Sequence, residues 1–165
     1  GDARGNLRLA SLRELRDYCY VVAGIVGEML TELFLLDAHA LGPFASRLRR
    51  RSRFFGEALQ LVNILKDANA DATEGRVYFP VGIDRSRIFA LARRDLAVAA
   101  NYVGTLQLAG APDGFVAFTG SPAVLAHAAL ERIESTSPGT KLTRAEVGTL
   151  MERMFENLAA GLPLL

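Results

Sequence analysis

Apolar residues recur at helical spacing along most of the chain and predict an all-α protein. Ser11 followed by Glu14 has the pattern of a capping box and opens a helix over about residues 12–36. A second helix is expected over about residues 47–72, and the Gly- and Pro-containing segment EGRVYFPVGIDRS after it is expected to be a loop. The sequence shows no period-two strand pattern, repeat or low-complexity tract, so no sheet is expected.

Three further helices are predicted from residues that cap helix starts. These signals are Asp84 before a helix over about 85–109, Ser121 with Pro122 before a helix to about residue 135, and Thr143 with Glu146 before a last helix that ends near Gly161. The predicted architecture is therefore a bundle of five helices.

The composition places the chain among single globular domains. It has 165 residues, half of them apolar and 22% charged, which is enough for a substantial core. A net charge of +1 gives no general basic field, so nucleic acid is not expected as a partner. The single cysteine, Cys19, stands in an apolar helical stretch and is expected in the core. One unpaired cysteine favours a reducing compartment, here the cytoplasm.

The longest apolar run, VVAGIVGEMLTELFLL at residues 21–36, contains Glu28 and Glu32. A membrane-spanning helix needs about 20 apolar residues, so this run is expected to be too short and too charged to cross a bilayer. The chain opens GDARGNLRLAS, without an initiator methionine or the apolar segment of a signal peptide. It is therefore expected to be a piece of a longer protein.

A polar stripe runs through the apolar second helix, in LQLVNILKDANAD at residues 59–71. Spacings of three, four and four place four polar side chains on one side of a helix. They are Gln60, Asn63, Asp67 and Asp71. Aliphatic neighbours predict a helix buried nearly all round, in which two carboxylates one turn apart need a positive partner. The oxygen donors suit Mg²⁺ before Ca²⁺ or Zn²⁺, and Mg²⁺ usually completes its shell with water and phosphate oxygens, so a phosphate-bearing substrate is implied.

A simpler interpretation stays open for the two carboxylates. Asp67 and Asp71 could mark the place where the helix emerges into solvent, with Lys66 and Arg76 as their partners. Gln60 and Asn63, deeper in the apolar run, fit this interpretation less well. The two histidines, His39 and His127, are isolated in sequence, and neither is expected to be a metal ligand.

Two stretches of the chain resemble the squalene and phytoene synthases, the head-to-head class of isoprenyl diphosphate synthases. YCYVVAGIVGEM, residues 18–29, is similar to the family pattern Y-C-x-x-V-A-G-x-V-G. GEALQLVNILKDANADATEGRVYFP, residues 56–80, is similar to A-L-Q-L-x-N-I-L-R-D-x-x-E-D followed by G-R-x-Y-L-P. The resemblance implies an all-α helical bundle of the isoprenoid synthase type.

The resemblance also implies roles for individual residues. Asn63, Asp67 and Asp71 would form the second metal-binding motif, which holds Mg²⁺, with Mn²⁺ as an alternative, against a substrate diphosphate. The implied catalytic residues are Asp67, Asp71 and Tyr18. The implied substrate-binding residues are Tyr18, Val22, Ala23, Gly24, Gly27, Gly56, Gln60, Asn63, Lys66 and Arg76.

For the glycines and the lysine among these residues, the residue type itself has a physical effect on the site. Gly24 and Gly27 remove side-chain volume, which lets either an isoprenoid chain or a neighbouring helix approach closely. Lys66 stands where the family usually has arginine, and it keeps the charge without the planar fork of a guanidinium group.

The chain also departs from the family pattern. Ala70 replaces the usual glutamate before the second aspartate. AHAALERI (residues 126–133) and GTKLTRAEV (139–147) stand where synthases often show Tyr-Arg before I-L-x-x-I and then a basic N-R-R stretch. The family's first Asp-rich motif has no counterpart before residue 11. Residues 1–165 are therefore expected to be one all-α domain, the C-terminal portion of a longer synthase-like domain, and to be inactive alone.

The implied reaction is Mg²⁺-dependent, head-to-head condensation of two prenyl diphosphates, of the squalene, hydroxysqualene or phytoene type, as in carotenoid or hopanoid biosynthesis. Farnesyl and geranylgeranyl diphosphate both fit as substrates, with or without a later reductive step that uses NADPH. The alternative is a non-catalytic relative that keeps the fold as a scaffold or assembly factor. Ala70 and the altered C-terminal motif favour this alternative, and the intact set of Asn63, Asp67 and Asp71 opposes it.

The basic run RLRRRSR, residues 47–53, opens the second helix. Such runs are usually solvated helix faces. Because the family's substrates and products are lipids, peripheral contact with anionic headgroups is the second interpretation, at about 1 kcal/mol per residue near the surface. The arginines concerned are Arg47, Arg49, Arg50, Arg51 and Arg53.

Overall fold

The computed structural model describes residues 8–75, 77–80, 82–135 and 141–165, apart from the side chains of residues 69 and 70. The described elements are α1 (Leu12–Cys19), a π-helical turn (Tyr20–Gly24), α2 (Ile25–Asp37), a 3₁₀ segment (His39–Phe44), α3 (Ala45–Thr73), α4 (Arg85–Leu108), α5 (Asp113–Ser135) and α6 (Arg144–Ala159). The predicted all-α class is confirmed. In these ranges the only extended pairing is an isolated bridge between Arg8 and Val77.

Helix α3 lies at the centre of the bundle and contacts α1, α2, α4 and α5. Its apolar residues, among them Leu61, Ile64 and Leu65, are buried in one continuous core with apolar residues of α4 and α5. Removing each such side chain from water stabilises the fold by about 1.5–3 kcal/mol. Because this apolar side faces the core, the polar stripe of α3 is left at the edge of the core.

The helix starts that the capping residues predicted are confirmed for α1, α4 and α6. The backbone N–H of Glu14 donates to Ser11 Oγ at 3.1 Å, while the Glu14 carboxylate accepts from the backbone N–H of Ala10 at 2.8 Å. The other confirmed caps are Asp84, which accepts from the Ser86 N–H, and Thr143 with Glu146, which form a complete capping box. Short polar residues therefore fix these three boundaries.

The predicted start of the next helix at Ser121 is wrong, because α5 begins at Asp113 and Pro122 lies inside it. The Ser121 hydroxyl does not cap a helix; it donates backwards to the Ala117 carbonyl at 2.8 Å. Proline cannot donate to the carbonyl four residues earlier. That carbonyl belongs to Phe118, an exposed residue.

The first long helix is continuous from Leu12 to Asp37 through the π-helical turn. At 26 residues it is long and apolar enough to cross a membrane by length and composition alone, so the prediction that it is too short does not hold. This is weak support for a membrane span, since core helices of soluble proteins meet the same criterion. One side of this helix packs against α3.

The helix over residues 12–37 and α3 approach each other closely at glycines. A Cβ atom at Gly27 would lie 2.2 Å from the Ser52 carbonyl oxygen, and one at Gly56 would lie 2.0 Å from the Ala23 carbonyl oxygen. Both neighbours are backbone atoms, which cannot move aside by a rotamer change. The two helices therefore reach this separation only because both positions lack a side chain.

A second contact joins α2 to α4 through buried hydroxyl groups. Thr31 Oγ1 lies 2.8 Å from the Gly27 carbonyl and 2.8 Å from the Tyr102 hydroxyl. Since the one hydroxyl hydrogen of Thr31 goes to the carbonyl, Tyr102 donates to Thr31. Burial raises the pKa of Tyr102 to about 12, so this donor stays protonated at neutral pH.

A buried charge cluster lies where α1 crosses α3. Glu57 is fully buried and accepts from Arg53 Nε at 2.5 Å, and its other oxygen lies 3.8 Å from Arg16 Nη2. The Arg53 guanidinium also stacks over the Tyr20 ring, 4.5 Å from its centroid. A buried carboxylate needs such partners, because a lone buried charge costs several kcal/mol, on the order of 3–5 when one partner is removed. The cluster therefore ties the π-helical turn to α3.

Asp95 of α4 is a second fully buried carboxylate. Its Oδ1 accepts from Arg94 Nε at 2.9 Å and Nη2 at 2.7 Å, and its Oδ2 has no hydrogen-bond partner among the described residues. Burial raises the pKa of Asp95 above its usual range, and Arg94 lowers it in part. The ionised form of Asp95 is therefore disfavoured in the folded protein.

We expect Gly27→Ala and Gly56→Ala each to lower the free energy of unfolding by about 1–3 kcal/mol, because the new methyl group forces two backbones apart. Gly104→Ala and Gly148→Ala are matched controls, since a Cβ at either helical position meets no atom within 4 Å. The controls should be neutral or stabilising by up to about 1 kcal/mol. Urea denaturation measures all four, and equal effects in both pairs would contradict the close-contact explanation.

We expect Asp95→Asn to change the pH dependence of stability. In the parent protein, the unfolded chain releases the Asp95 proton near pH 4 and the folded chain only at higher pH, so this group lowers stability as pH rises between the two pKa values. The asparagine variant lacks this loss. Its free energy of unfolding relative to the parent should therefore rise from pH 4 to pH 7. A flat difference for Asp95→Asn would disprove the account.

Candidate functional site

The polar stripe of α3 opens into a cavity of about 450 Å³. The cavity is lined by Gln60, Asn63, Ile64, Lys66, Asp67, Asp71 and Tyr78. Helical spacing brings the α3 members together, and the loop after α3 adds Tyr78. Asn63 is exposed and the two aspartates are half-buried, so the expectation of a helix buried nearly all round is wrong along this stripe.

The Asp67 carboxylate lies between two ammonium groups. Lys66 Nζ is 3.4 Å from Asp67 Oδ2, and Lys141 Nζ is 3.4 Å from Asp67 Oδ1. Lys66 also donates to Asn63 Oδ1 at 3.1 Å. The structure thus shows the Lys66–Asp67 pairing that belongs to the simpler interpretation of the carboxylates, and it adds a second cation from the segment before α6.

Tyr18 of α1 reaches the same site through Tyr78. The Tyr18 hydroxyl donates to the Tyr78 hydroxyl at 3.2 Å, and the two rings lie 5.0 Å apart between centroids at a tilt of 41°. Burial raises the pKa of Tyr18 to about 12, with smaller contributions from the Tyr78 hydrogen bond and from Asp71. Tyr18 is therefore a neutral phenol at physiological pH and a hydrogen-bond donor beside the aspartates.

The helix over residues 12–37 has an exposed apolar face. Val22, one of the residues implied to bind substrate, is 44% exposed, and its neighbour Ala23 is half-buried. The exposed large apolar residues of this face are Val21, Val22, Ile25, Val26, Met29, Leu33 and Leu36. A contiguous apolar surface of this kind marks a binding or packing surface.

The three glycines implied to bind substrate lie at the contact between the helix over 12–37 and α3, not on the exposed apolar face. Gly27 and Gly56 face the backbone of the opposite helix, and a Cβ at Gly24 would lie 2.7 Å from the Tyr20 ring and 3.4 Å from Glu57 Cγ. This geometry is the close helix packing that the sequence left open beside a pocket-lining role. Arg76, also implied to bind substrate, lies outside the described residues.

The cavity offers the donors that a hard divalent cation prefers. Asn63, Asp67 and Asp71 present oxygen atoms one turn apart along α3 and line the same cavity. Within the described ranges, no three His, Cys, Asp or Glu side chains come close enough together to hold a metal ion. Two carboxylates and an amide thus fit Mg²⁺ only where water or substrate phosphate supplies further oxygens.

Two residues of this site were missed by sequence reasoning. Tyr78 stands in GRVYFP, within the motif already quoted, so that motif could have indicated it. Lys141 is 74 positions after Asp67, in the segment that leads into α6, and only the tertiary structure brings it to the aspartate. No local pattern in the sequence predicts that contact.

The chain matches known proteins in its first half. The sequence profile of the squalene/phytoene synthase family matches residues 2–83. These residues contain the helix over 12–37, α3 and the loop with Tyr78, and thus every predicted site residue.

Three curated relatives match the same region. The chain is 42% identical over 67 residues to a 4,4'-diapophytoene synthase of Staphylococcus haemolyticus, 38% over 82 residues to a phytoene synthase of Thermus thermophilus, and 36% over 78 residues to a squalene synthase of Mycosarcoma maydis. The matches cover 41%, 50% and 47% of the chain and 21%, 26% and 14% of those relatives. The matched part therefore spans about a quarter or less of each relative's length.

We expect residues 1–165 expressed alone to self-associate through the apolar face of the helix over 12–37, because that face leaves a row of large side chains in water. Sedimentation velocity should show dimers or larger species whose amount rises with concentration. Val26→Lys with Met29→Lys should reduce the association, whereas Arg13→Lys, on an exposed part of α1, should not. A stable monomer at high concentration would contradict this expectation.

Proposed function

Because the chain belongs, through residues 2–83, to the squalene/phytoene synthase family, we propose that the whole protein condenses two prenyl diphosphates head-to-head in a Mg²⁺-dependent reaction. The observation that carries the proposal is the cavity that brings Gln60, Asn63, Asp67 and Asp71 together beside cationic Lys66. This set combines oxygen donors for a metal ion with a positive charge that can pair with a diphosphate. Farnesyl and geranylgeranyl diphosphate are the proposed substrates.

In this proposal Asn63, Asp67 and Asp71 hold Mg²⁺ against the diphosphate. When bound, the ion offsets the negative charge that develops as the diphosphate leaves. Lys66 and Lys141 both pair with Asp67, so their ammonium groups are close enough to contact the diphosphate oxygens of a substrate bound there. Their charge stabilises the same leaving group.

Tyr18 acts here by orienting Tyr78, because its one hydroxyl hydrogen goes to Tyr78 and the Tyr78 O–H is left to donate towards the cavity. Its raised pKa keeps the phenol protonated, and its hydrogen bond with Tyr78 fixes the orientation of both rings beside the aspartates. Val22 and Ala23, one helical turn further along the chain, supply the apolar surface for the prenyl chain. In this proposal the charged head of the substrate lies near α3 and its hydrocarbon tail lies along the helix over 12–37.

The alternative function is a non-catalytic scaffold or assembly factor with the same fold. Ala70 and the altered segment 126–133 favour it, because both remove polar groups that the family pattern contains. The position of the polar stripe at the edge of the core weakens the main objection to it, since Asp67 and Asp71 are half-buried and not enclosed in an apolar core. Turnover by the whole protein distinguishes the two functions.

Peripheral membrane contact is a further proposal, and two arginines of the basic run are already engaged in ion pairs within the protein. Arg49 forms a bidentate pair with Glu32 at 2.6 and 2.7 Å, and Arg53 is bound to buried Glu57. The remaining arginines of the run are Arg47, Arg50 and Arg51, of which the first two are exposed and the third is half-buried. Any contact with anionic headgroups would therefore use these three.

We expect Asp67→Ala in the whole protein, with its natural flanking sequence, to reduce Mg²⁺-dependent turnover of prenyl diphosphate by about 10²–10³-fold or more. The fold should survive, because Asp67 is half-buried at the edge of the core. Turnover is measured with farnesyl and geranylgeranyl diphosphate across a Mg²⁺ titration, and Asp37→Ala, at the exposed end of α2, is the control. Retention of more than about a tenth of the parent activity would refute the site, and a parent protein inactive with both substrates would favour the scaffold.

A further inference from the structure

Helix α6 contributes little to the core of the bundle. It packs mainly against α5, and within α6, all of which the structure describes, Met154 alone is buried. Cavities of about 540 and 580 Å³ lie along one side of the contact between the two helices. Because a helix with so little buried apolar surface gains little stability from its own packing, the position of α6 depends on contacts at its ends.

The chain reverses direction at the end of α6. Gly161 has a φ of +67°, and its N–H donates to the Leu158 carbonyl at 3.1 Å. The N–H of Leu162 donates to the Asn157 carbonyl at 2.8 Å. These two hydrogen bonds form a Schellman motif, in which a glycine in the left-handed region ends a helix. Residues 162–164 are thereby directed back over α4 and α5.

Residues 162–164, which we call the latch, bind the end of α6 to its neighbours through backbone carbonyls. Gln107 Nε2 of α4 donates to the Leu162 carbonyl at 3.0 Å. Asn157 Nδ2 of α6 donates to the Pro163 carbonyl at 3.2 Å. The latch therefore connects α6 to α4, although α6 packs mainly on α5.

Leu164 is the apolar anchor of the latch. It is 8% exposed and lies against Gly120 of α5, where a Cβ atom would come within 2.6 Å of Leu164 Cδ1. The same Cβ position lies 3.6 Å from Met154 Sδ of α6 and 3.7 Å from Val103 Cγ1 of α4. Leu164 thus fills a notch shared by three helices, and the notch exists because residue 120 has no side chain.

We propose that the latch holds α6 on the bundle reversibly. When residues 162–164 leave the notch, α6 moves away as a unit while the other helices stay folded. Proteins open in such cooperative units when the unit buries few apolar contacts, and α6 adds one buried side chain to a core that the other helices otherwise build. Both ends of α6 are capped within the segment itself, so the helix does not need the bundle to satisfy its terminal backbone groups.

Opening of α6 acts on the polar stripe from a distance. Lys141, just before α6, lies 3.4 Å from Asp67, and Val147 of α6 lines a cavity with Asn63. At about 1.5 Å per residue, the latch end of α6 is about 24 Å from its first turn. Because a helix moves as a rigid element, release of the latch also displaces Lys141 from Asp67 and uncovers this cavity. The coupling is a property of the folded chain and does not depend on the proposed reaction.

Hydrogen exchange of the whole protein under native conditions, measured by mass spectrometry, tests the latch. Leu164→Ser places a hydroxyl group in the apolar notch, and Gly120→Ala places a methyl group against Leu164 Cδ1. Each variant should accelerate exchange of the α6 amides by about tenfold or more, because opening no longer requires exposure of a well-packed leucine. Exchange in α3 and α4 should change by less than about twofold.

Matched controls separate the latch from a general effect of substitution. Leu165→Ser changes the exposed neighbour of Leu164, and Gly114→Ala adds a methyl group to α5 where no atom lies within 4 Å. Neither control should accelerate exchange of α6. Unchanged exchange in the latch variants, or an α6 already unprotected in the parent, would overturn the proposal. Equal acceleration of α3, α4 and α6, or unfolding of both latch variants as a whole, would overturn it as well, because α6 would not be a separate unit.

A cysteine beneath α6 gives a second measurement. Val124 of α5 is 8% exposed and lines the cavity that Leu150 of α6 and Leu164 of the latch also line. In a Val124→Cys background, Leu164→Ser should speed labelling by Ellman's reagent about tenfold or more. The natural Cys19, fully buried in the core, should stay unlabelled. Labelling of both thiols together, or unchanged labelling at position 124, would contradict the proposal.

Discussion

The close approach of the helix over residues 12–37 to α3 is the constraint on which the site depends. At Gly27 and Gly56 the backbone of each helix lies where a side chain of the other would be. This separation lets Arg16 of α1 come within 3.8 Å of a carboxylate on α3, and it lets Tyr18 meet Tyr78 beside the aspartates. A wider separation would move both contacts together, because α1 and α2 form one continuous helix. The glycines therefore position polar groups that they do not touch.

Four carboxyl groups of α3 and α4 fall into two classes by how far they are buried. Glu57 and Asp95 are fully buried and contact arginines, so both carboxyl groups are part of the helix packing, and burial opposes the ionisation of Asp95. Asp67 and Asp71 are half-buried at a cavity, and Asp67 is held by lysines on flexible stems. An ammonium group is a mobile point charge, whereas a guanidinium fork is more rigid. The lysines at the cavity can therefore leave Asp67 when a ligand enters. The arginines at Glu57 and Asp95 stay in place where the helices pack.

Local sequence patterns predicted most helix boundaries and failed where tertiary structure overrides them. Ser11, Asp84 and Thr143 cap helices because their side chains can accept from backbone N–H groups within the same turn. Ser121 has the same chemistry, but packing against α3 and α6 keeps the chain helical through Pro122. The polar stripe was placed on one side of α3 by its spacing alone. Its exposure and the contact with Lys141 could not be predicted, since both depend on how distant segments pack.

The π-helical turn at Tyr20–Gly24 has a consequence for how the length of this segment can vary. A π-turn accommodates one residue more than an α-helical turn over the same span. A one-residue deletion there would restore a regular helix and leave the segments on either side close to their present orientation, because the wide turn already absorbs the extra residue. A one-residue deletion between Tyr18 and α2 that kept the π-turn would instead rotate everything before it by about 100° relative to α2. Tyr18 would then leave Tyr78, and Arg16 would leave Glu57, although no contacting residue had changed. Along this helix, the turn over positions 20–24 is therefore the place where a change of one residue disturbs the flanking contacts least.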